Sequence, residues 1–196
     1  MITLRVIRLV LLLVLQAAVV WYYTFVSSSY NTTNEKLCCF DLHPEFIERG
    51  KYAFSGYIFT SEDLTDDSSV EMKFYRSANR NNNFKLLPYS VPKGSFSSFM
   101  NTFYKSNLMP YIEECAPSAP QFADTWKAPL KAFRYEVKKC VIPTENLPTY
   151  LPEGMYRALF IMTGPCELYL DLYLLVEWVF FFILFILVFI FFFFFA

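Results

Sequence analysis

Residues 146–178 read NLPTYLPEGMYRALFIMTGPCELYLDLYLLVEW, and this stretch predicts a β-hairpin. From Cys166 to Trp178, apolar side chains alternate with polar or aromatic ones. Successive side chains of a strand point to opposite faces, so the alternation gives this arm one apolar and one wetter face. The Thr-Gly-Pro sequence at 163–165 joins the arms and consists of residues that turns favour. The hairpin therefore predicts an extracellular β domain with an apolar interior.

The chain has 196 residues and a formal net charge of -1 at pH 7. Apart from its apolar ends, this length holds one domain of about 150 residues. The small net charge predicts no nucleic-acid partner, because proteins that bind nucleic acids carry a basic patch or stripe. Aromatic residues make up 20% of the chain, with 23 Phe and 14 Tyr. This excess is typical either of a β core or of an aromatic-lined ligand cavity.

Three further segments predict strands, at 51–60, 70–76 and 133–141, and the last two alternate in the same manner. Together with the hairpin they predict a mainly β fold, an antiparallel β-cup or sandwich with an apolar cavity. The link at 61–69 is acidic, and its carboxylates do not follow the D-x-D-x-D-G spacing of a calcium loop. We therefore expect a solvated hairpin loop and no metal site at these residues: Glu62, Asp63, Asp66 and Asp67.

One short amphipathic helix is predicted, with Ser95 as its N-cap and its end near Ser106. Large apolar side chains recur there with helical spacing, at Phe96, Phe99, Met100 and Phe103. Such a stripe is typical of core packing. Met and Phe also suit the roof of an irregular apolar cavity.

Residues 1–28 have the pattern of a secretory signal, with two arginines before an apolar stretch and small residues near position 28. The apolar residues at 21–26 lengthen that stretch, so an uncleaved signal anchor stays open as an alternative. The Asn31-Thr32-Thr33 sequence is the acceptor pattern for N-glycosylation, and we expect it to be used because the protein is predicted to be secreted. We therefore expect an extracellular glycoprotein whose folded domain covers residues 29–178.

The chain has five cysteines, Cys38, Cys39, Cys115, Cys140 and Cys166. Their spacing does not resemble a zinc site, which needs C-x2-C pairs or nearby histidines. In an oxidising compartment we expect two disulfides and one odd thiol. The residues alone leave about 15 arrangements of these bonds open.

Catalytic chemistry has little support in the sequence. The single histidine, His43, lies in a Leu-His-Pro sequence, and no G-x-S-x-G nucleophile motif occurs. A cysteine or serine hydrolase needs a base beside its nucleophile, so this class is a remote alternative. We expect no enzyme activity and no cofactor.

After Trp178 the alternation stops, and residues 179–195 are all Phe, Ile, Leu or Val. As a helix, residues 178–196 would span about 28 Å at ~1.5 Å per residue, close to the ~30 Å hydrocarbon core of a bilayer. A transmembrane anchor at 179–196 is one interpretation. A non-native end is another, because codons for these residues share a middle T and a T-rich tract read as coding gives such a run. Folded core is the third.

Residues 131–175 resemble the ganglioside activator protein and its wider group of lipid-recognition β-cups. The shared features are an F-x-Y-x-V strand at 133–137, the sequence LPTYL at 147–151 and a G-x-Y-R sequence at 154–157. A turn then leads to Cys166 at the start of the last strand. Residues 126–129 depart from the activator, since they read WKAP where it has a Cys-Pro pair.

Three sequences are more similar to insect chemosensory B proteins (CheB). They are DDSSV at 66–70, LPYSVPK at 87–93 and FMNTFYK at 99–105. The resemblance implies a secreted β-cup without catalytic machinery that carries or presents lipid-like ligands in taste sensilla. It also implies two disulfides, Cys166 with Cys38 or Cys39, and Cys115 with Cys140.

We therefore expect a secreted, non-enzymatic binder of lipid-like or hydrocarbon ligands that serves chemosensation, in pheromone or taste detection. The alternative is a protein-binding accessory subunit of a sensory receptor or channel, which an exposed apolar rim would favour. The C-terminal run would add membrane association. The expected cavity residues are apolar or aromatic side chains on the predicted inner faces: Phe54, Ile58, Met72, Phe74, Phe99, Phe103, Phe133, Val137, Tyr156, Phe160, Leu168, Leu170 and Leu172.

Overall fold

A computed structural model of the chain describes residues 19–48, 51–141 and 151–180. These residues form eight strands: β1 (Val19–Thr32), β2 (Cys38–Glu48), β3 (Lys51–Thr60), β4 (Ser69–Ser77), β5 (Lys85–Ser95), β6 (Phe133–Val141), β7 (Gly154–Thr163) and β8 (Leu168–Phe180). A helical segment follows β5, and it consists of α1 (Phe96–Phe99), a π-helical turn (Met100–Tyr104), α2 (Lys105–Asn107) and α3 (Met109–Ile112).

The described strands form two sheets. The larger has the order β1-β8-β7-β4-β5, and the smaller has the order β2-β3-β6. The β2–β3, β3–β6, β4–β5, β4–β7 and β7–β8 pairs are antiparallel. This confirms the predicted fold class, mainly antiparallel β with one short helical segment. We expected a hairpin loop at 61–69, and this prediction was wrong. The link joins β3 of the smaller sheet to β4 of the larger sheet.

Two units make up the chain. The larger is Tyr23–Val176, and the described part of the smaller consists of residues 19–22 and 177–180. The predicted domain boundaries at 29 and 178 stay predictions, and in the structure β1 begins before the first and β8 ends after the second. The rest of the predicted signal and of the predicted tail lies outside the described residues.

The β7–β8 hairpin has the register that its alternation predicts. Phe160 lies opposite Leu170, and Met162 lies opposite Leu168. On the other side of β7, Phe160 lies opposite Met72 of β4. Directly opposite residues share a face of the sheet, so these side chains form one apolar face across three strands.

A hydrophobic core lies where this face meets the smaller sheet and the helical segment. Its buried residues come from the start of β2, the link at 61–69, β4, the helical segment, and the end of β7 and the start of β8 with the turn between them: Cys38, Leu64, Val70, Phe96, Phe99, Met100, Tyr104, Met162, Cys166 and Leu168. The Phe99 ring meets the Phe160 ring edge-on, with their centroids 5.9 Å apart. Aromatic pairs prefer this geometry over a face-to-face stack. This contact packs the helical segment against the larger sheet.

The structure contains the Cys38–Cys166 and Cys115–Cys140 disulfides, with Cα atoms 6.2 and 5.2 Å apart. All five cysteines lie in the described residues, and Cys39 is the free one. The choice between Cys38 and Cys39 follows from strand geometry, because neighbours in a strand point to opposite faces. Cys38 and Cys166 are both buried in the core, whereas Cys39 is partly exposed.

The two disulfides are expected to differ in their contribution to stability. They join residues 128 and 25 positions apart, so the loop-entropy model gives about 5 kcal/mol for Cys38–Cys166 and about 3.5 kcal/mol for Cys115–Cys140. Urea unfolding of the Cys38→Ala/Cys166→Ala and Cys115→Ala/Cys140→Ala double variants should show this order. The Cys39→Ala variant is the control and should unfold at the wild-type midpoint. The reverse order would contradict the assignment.

Candidate functional site

An open groove runs between β5 and the helical segment, with a volume of about 630 Å³. Its lining comes from the start of β4, the end of β5, α1, the π-helical turn and α2: Val70, Ser90, Val91, Pro92, Gly94, Ser98, Phe99, Asn101, Thr102, Phe103, Ser106 and Asn107. Most of the polar residues in this set are exposed. The groove is therefore open to solvent along its rim.

The groove combines an apolar floor with a polar but uncharged rim. Val70 and Phe99 are buried, and Val91 and Phe103 are half-buried beside them. The rings of Phe99 and Phe103 stack with centroids 5.8 Å apart. Among the described lining residues the polar groups are hydroxyls and amides, and none of the side chains is charged. A neutral apolar ligand with a hydroxyl or carbonyl group fits such a lining.

The π-helical turn at Met100–Tyr104 forms the helical wall of the groove. Turns of this kind are rare and often occur at functional sites. Here the turn follows the predicted N-cap, since Ser95 Oγ accepts a hydrogen bond from Ser98 N at 3.2 Å. Regular helix spacing predicted the apolar stripe, but no residue pattern predicted the π-helical turn.

Asn101 attaches this wall to the loop that follows α3. Its Nδ2 donates to Ser97 O at 2.9 Å and to Trp126 O at 3.0 Å. Its Oδ1 accepts from Trp126 N at 2.7 Å. The Trp126 ring in turn meets the Phe96 ring edge-on, with centroids 5.5 Å apart. The protein itself therefore uses the Asn101 amide, and the Thr102 hydroxyl likewise donates to Ser98 O at 2.7 Å.

Two further side chains of the helical segment hold the same loop. Tyr104 Oη donates to Pro120 O at 2.8 Å, and burial raises the pKa of this hydroxyl. Lys105 Nζ donates to Ala123 O at 2.6 Å and to Asp124 O at 2.9 Å. These bonds fix the helical wall from the side opposite the groove, which makes the groove a preformed feature.

Two of the acidic residues at 61–69 accept hydrogen bonds from backbone N–H groups of distant segments. Asp66 accepts from Ser97 N at 2.7 Å and from Ser97 Oγ at 2.8 Å, and these bonds lower the pKa of Asp66. Asp63 accepts from Lys131 Nζ and from Ala132 N, both at 2.8 Å, and these bonds lower the pKa of Asp63. The sequence did not predict this role, because the acceptor and donor residues are far apart in the chain.

The predicted cavity residues fall into three groups. Phe99 and Phe103 line the groove. The residues of the larger sheet share its core-facing side by register: Met72, Phe74, Tyr156, Phe160, Leu168, Leu170 and Leu172. The residues of the smaller sheet are Phe54, Ile58, Phe133 and Val137, and of these Phe133 is 52% exposed. Of the predicted cavity residues, the groove therefore brings together only Phe99 and Phe103.

His43 does not form a catalytic pair with the free thiol. Its Nε2 lies 2.8 Å from Asp41 Oδ1, and its side chain is 73% exposed. Cys39, Asp41 and His43 alternate along β2, so they share a face of the strand. Four residues of strand separate Cys39 from His43 by about 13 Å, which is beyond the hydrogen-bond reach that a nucleophile and its base need.

A family model described as protein of unknown function (DUF1091) matches residues 70–158. This span runs from the start of β4 into β7 and includes every residue that lines the groove. No curated protein matches the chain. Within the residues that the structure describes, no helix has the length and hydropathy needed to cross a membrane.

Asp66→Ala is expected to destabilise the fold and to weaken its dependence on pH. The pKa of Asp66 is lowered from the ordinary 3.8, so its contribution is complete above that pH and is lost as the pH falls through the lower folded value. Urea unfolding near neutral pH and at about pH 2 measures this difference. Asp67→Ala is the matched control. Equal pH dependence in the two variants would contradict the role of Asp66.

Proposed function

We propose that this chain is a secreted, non-enzymatic protein that binds and presents lipid-like or hydrocarbon ligands in chemosensation, as a chemosensory B protein. The observation that carries the proposal is the groove between β5 and the helical segment, whose floor is apolar and whose described lining is uncharged. Its volume of about 630 Å³ lies within the range typical of small-molecule sites.

The affinity expected from such a groove is moderate. A ligand that buries about 300 Å² of apolar surface gains roughly 7.5 kcal/mol from burial alone. Loss of translational and rotational freedom reduces this gain. The burial gain alone corresponds to a Kd of about 3 μM, so the net affinity is weaker than this, which suits a protein that takes up a ligand and releases it again.

Extracellular location is part of the proposal. Both disulfides suit an oxidising compartment. Asn31 of the glycosylation sequence is exposed, as a glycan acceptor must be. If the protein is tethered to a membrane, we propose that the apolar C-terminal run at 179–196 is the anchor.

A protein-binding accessory subunit of a sensory receptor or channel is the second candidate. It is favoured by β5, which is an edge strand of the larger sheet and borders the groove. An edge strand presents unpaired backbone groups to which another chain can bind. Leu86 and Tyr89 of this strand are 59% and 60% exposed. Their apolar surface would add to such an interface.

The proposal is tested by displacement of the fluorescent apolar probe N-phenyl-1-naphthylamine with long-chain alkanes, alcohols and fatty acids. Phe103→Ala removes part of the floor and is expected to weaken probe binding by about tenfold. Ser106→Trp places an indole in the groove and is expected to abolish binding. The matched control is Phe133→Ala, which removes an exposed ring outside the groove and should leave binding unchanged.

The competitors also have an expected order. Neutral alkanes and alcohols should displace the probe at lower concentrations than fatty acids, because the described lining offers no cation to a carboxylate. Native mass spectrometry of the secreted chain would identify a co-purified ligand. Absence of probe binding in the wild type, or equal loss in Phe103→Ala and Phe133→Ala, would contradict the groove as the site.

A further inference from the structure

A second, smaller pocket lies at the far end of the β4–β5 hairpin, with a volume of about 310 Å³. It is lined by the end of β4, the connecting loop and the start of β5: Arg76, Ser77, Ala78, Asn79, Asn81, Asn83, Lys85 and Leu87. In the described part of the chain it shares no lining residue with the groove. Its lining is basic and rich in amides, whereas that of the groove is uncharged.

The two cations of this pocket face each other across the ladder. Arg76 of β4 is the direct partner of Lys85 of β5. Side chains that are directly opposite start about 5 Å apart, and like charges in this position repel each other. No Asp or Glu occurs among the described lining residues. An unneutralised pair of this kind is a local conflict of the sort that folded proteins retain at functional sites.

The pocket also holds its donors in place. Arg76 Nε donates to Glu153 O at 3.1 Å, and Nη2 of the same guanidinium donates to that oxygen as well. Asn81 Oδ1 accepts from Ser77 Oγ at 2.9 Å and from Asn83 N at 3.0 Å. Because the Asn81 oxygen is occupied twice, its amide nitrogen remains to donate.

Lys85 is the second cationic donor of this pocket. Within the residues that the structure describes, Lys85 Nζ makes no hydrogen bond and no ion pair. An ammonium carries three donors, and a guanidinium pairs with oxyanions through charge-assisted bonds. A bound oxyanion would use the donors of both groups and would neutralise their repulsion.

We propose that this hairpin pocket binds a small oxyanion: a phosphate, sulfate or carboxylate group, either free or attached to a larger molecule. Arg76 and Lys85 supply the charge, and the asparagine amides supply further donors. The site stands independently of the proposed function, because it uses a different part of β5.

The test measures thermal unfolding of the full chain in sodium phosphate and in sodium chloride at equal ionic strength. A ligand that binds the folded state raises the midpoint as its concentration increases. Lys85→Gln removes one charge without touching the bonds of Arg76 to Glu153. Lys93→Gln is the matched control, since Lys93 is exposed on the same strand and lines neither pocket.

We expect the order of the unfolding temperatures of the wild type and Lys85→Gln to differ between chloride and phosphate. In chloride, Lys85→Gln should unfold at a higher temperature than the wild type, because the repulsion is relieved. In phosphate, the wild type and Lys93→Gln should gain stability, and phosphate should bind Lys85→Gln about tenfold more weakly by calorimetry. Inorganic sulfate, acetate and a sugar phosphate ester show whether the group is bound free or as part of a larger molecule.

Two results would overturn the proposal. One is an equal phosphate-induced rise in the midpoint for the wild type and Lys85→Gln. The other is the absence of any specific rise in the wild type with each of the probes.

Discussion

The Cys38–Cys166 disulfide is the constraint on which the positions of the other elements depend. It joins the first residue of β2, in the smaller sheet, to the turn that precedes β8 in the larger one. Both cysteines belong to the same buried cluster as Val70, Phe99 and Leu168. The buried cluster therefore joins β4, the helical segment and the start of β8 at the point where the disulfide links the two sheets.

The groove follows from how the helical segment is held. Its apolar side packs on the larger sheet through Phe99 and Phe160, and Asp66 binds its first turn. Asn101 attaches its next turn to the Trp126 backbone. These contacts hold the helical wall beside β5 from three directions. Such preorganisation reduces the entropy lost on binding and is what a carrier with modest contact area needs.

The sequence predicted those features that depend on local spacing. Alternation identified the β7–β8 hairpin and the strands at 51–60, 70–76 and 133–141, and the Ser95 cap was correct because capping involves residues close in the chain. It did not predict the roles of Asp63 and Asp66, whose partners are distant in sequence. Nor did it locate the groove. Phe and Leu on an inner face fit either a filled core or a cavity, and only the packing of distant elements decides between them.

We propose that a ligand lies in the surface groove beside β5 and not between the two sheets. This proposal is tested most directly by adding a nitroxide-labelled long-chain alcohol to the isotope-labelled chain and measuring paramagnetic broadening of its amide signals. We expect broadening at Ser90, Val91, Ser98 and Thr102, with little at Ile58 and Leu172. Strong broadening at Ile58 and Leu172, with the groove amides unaffected, would place the ligand between the sheets and would contradict the account.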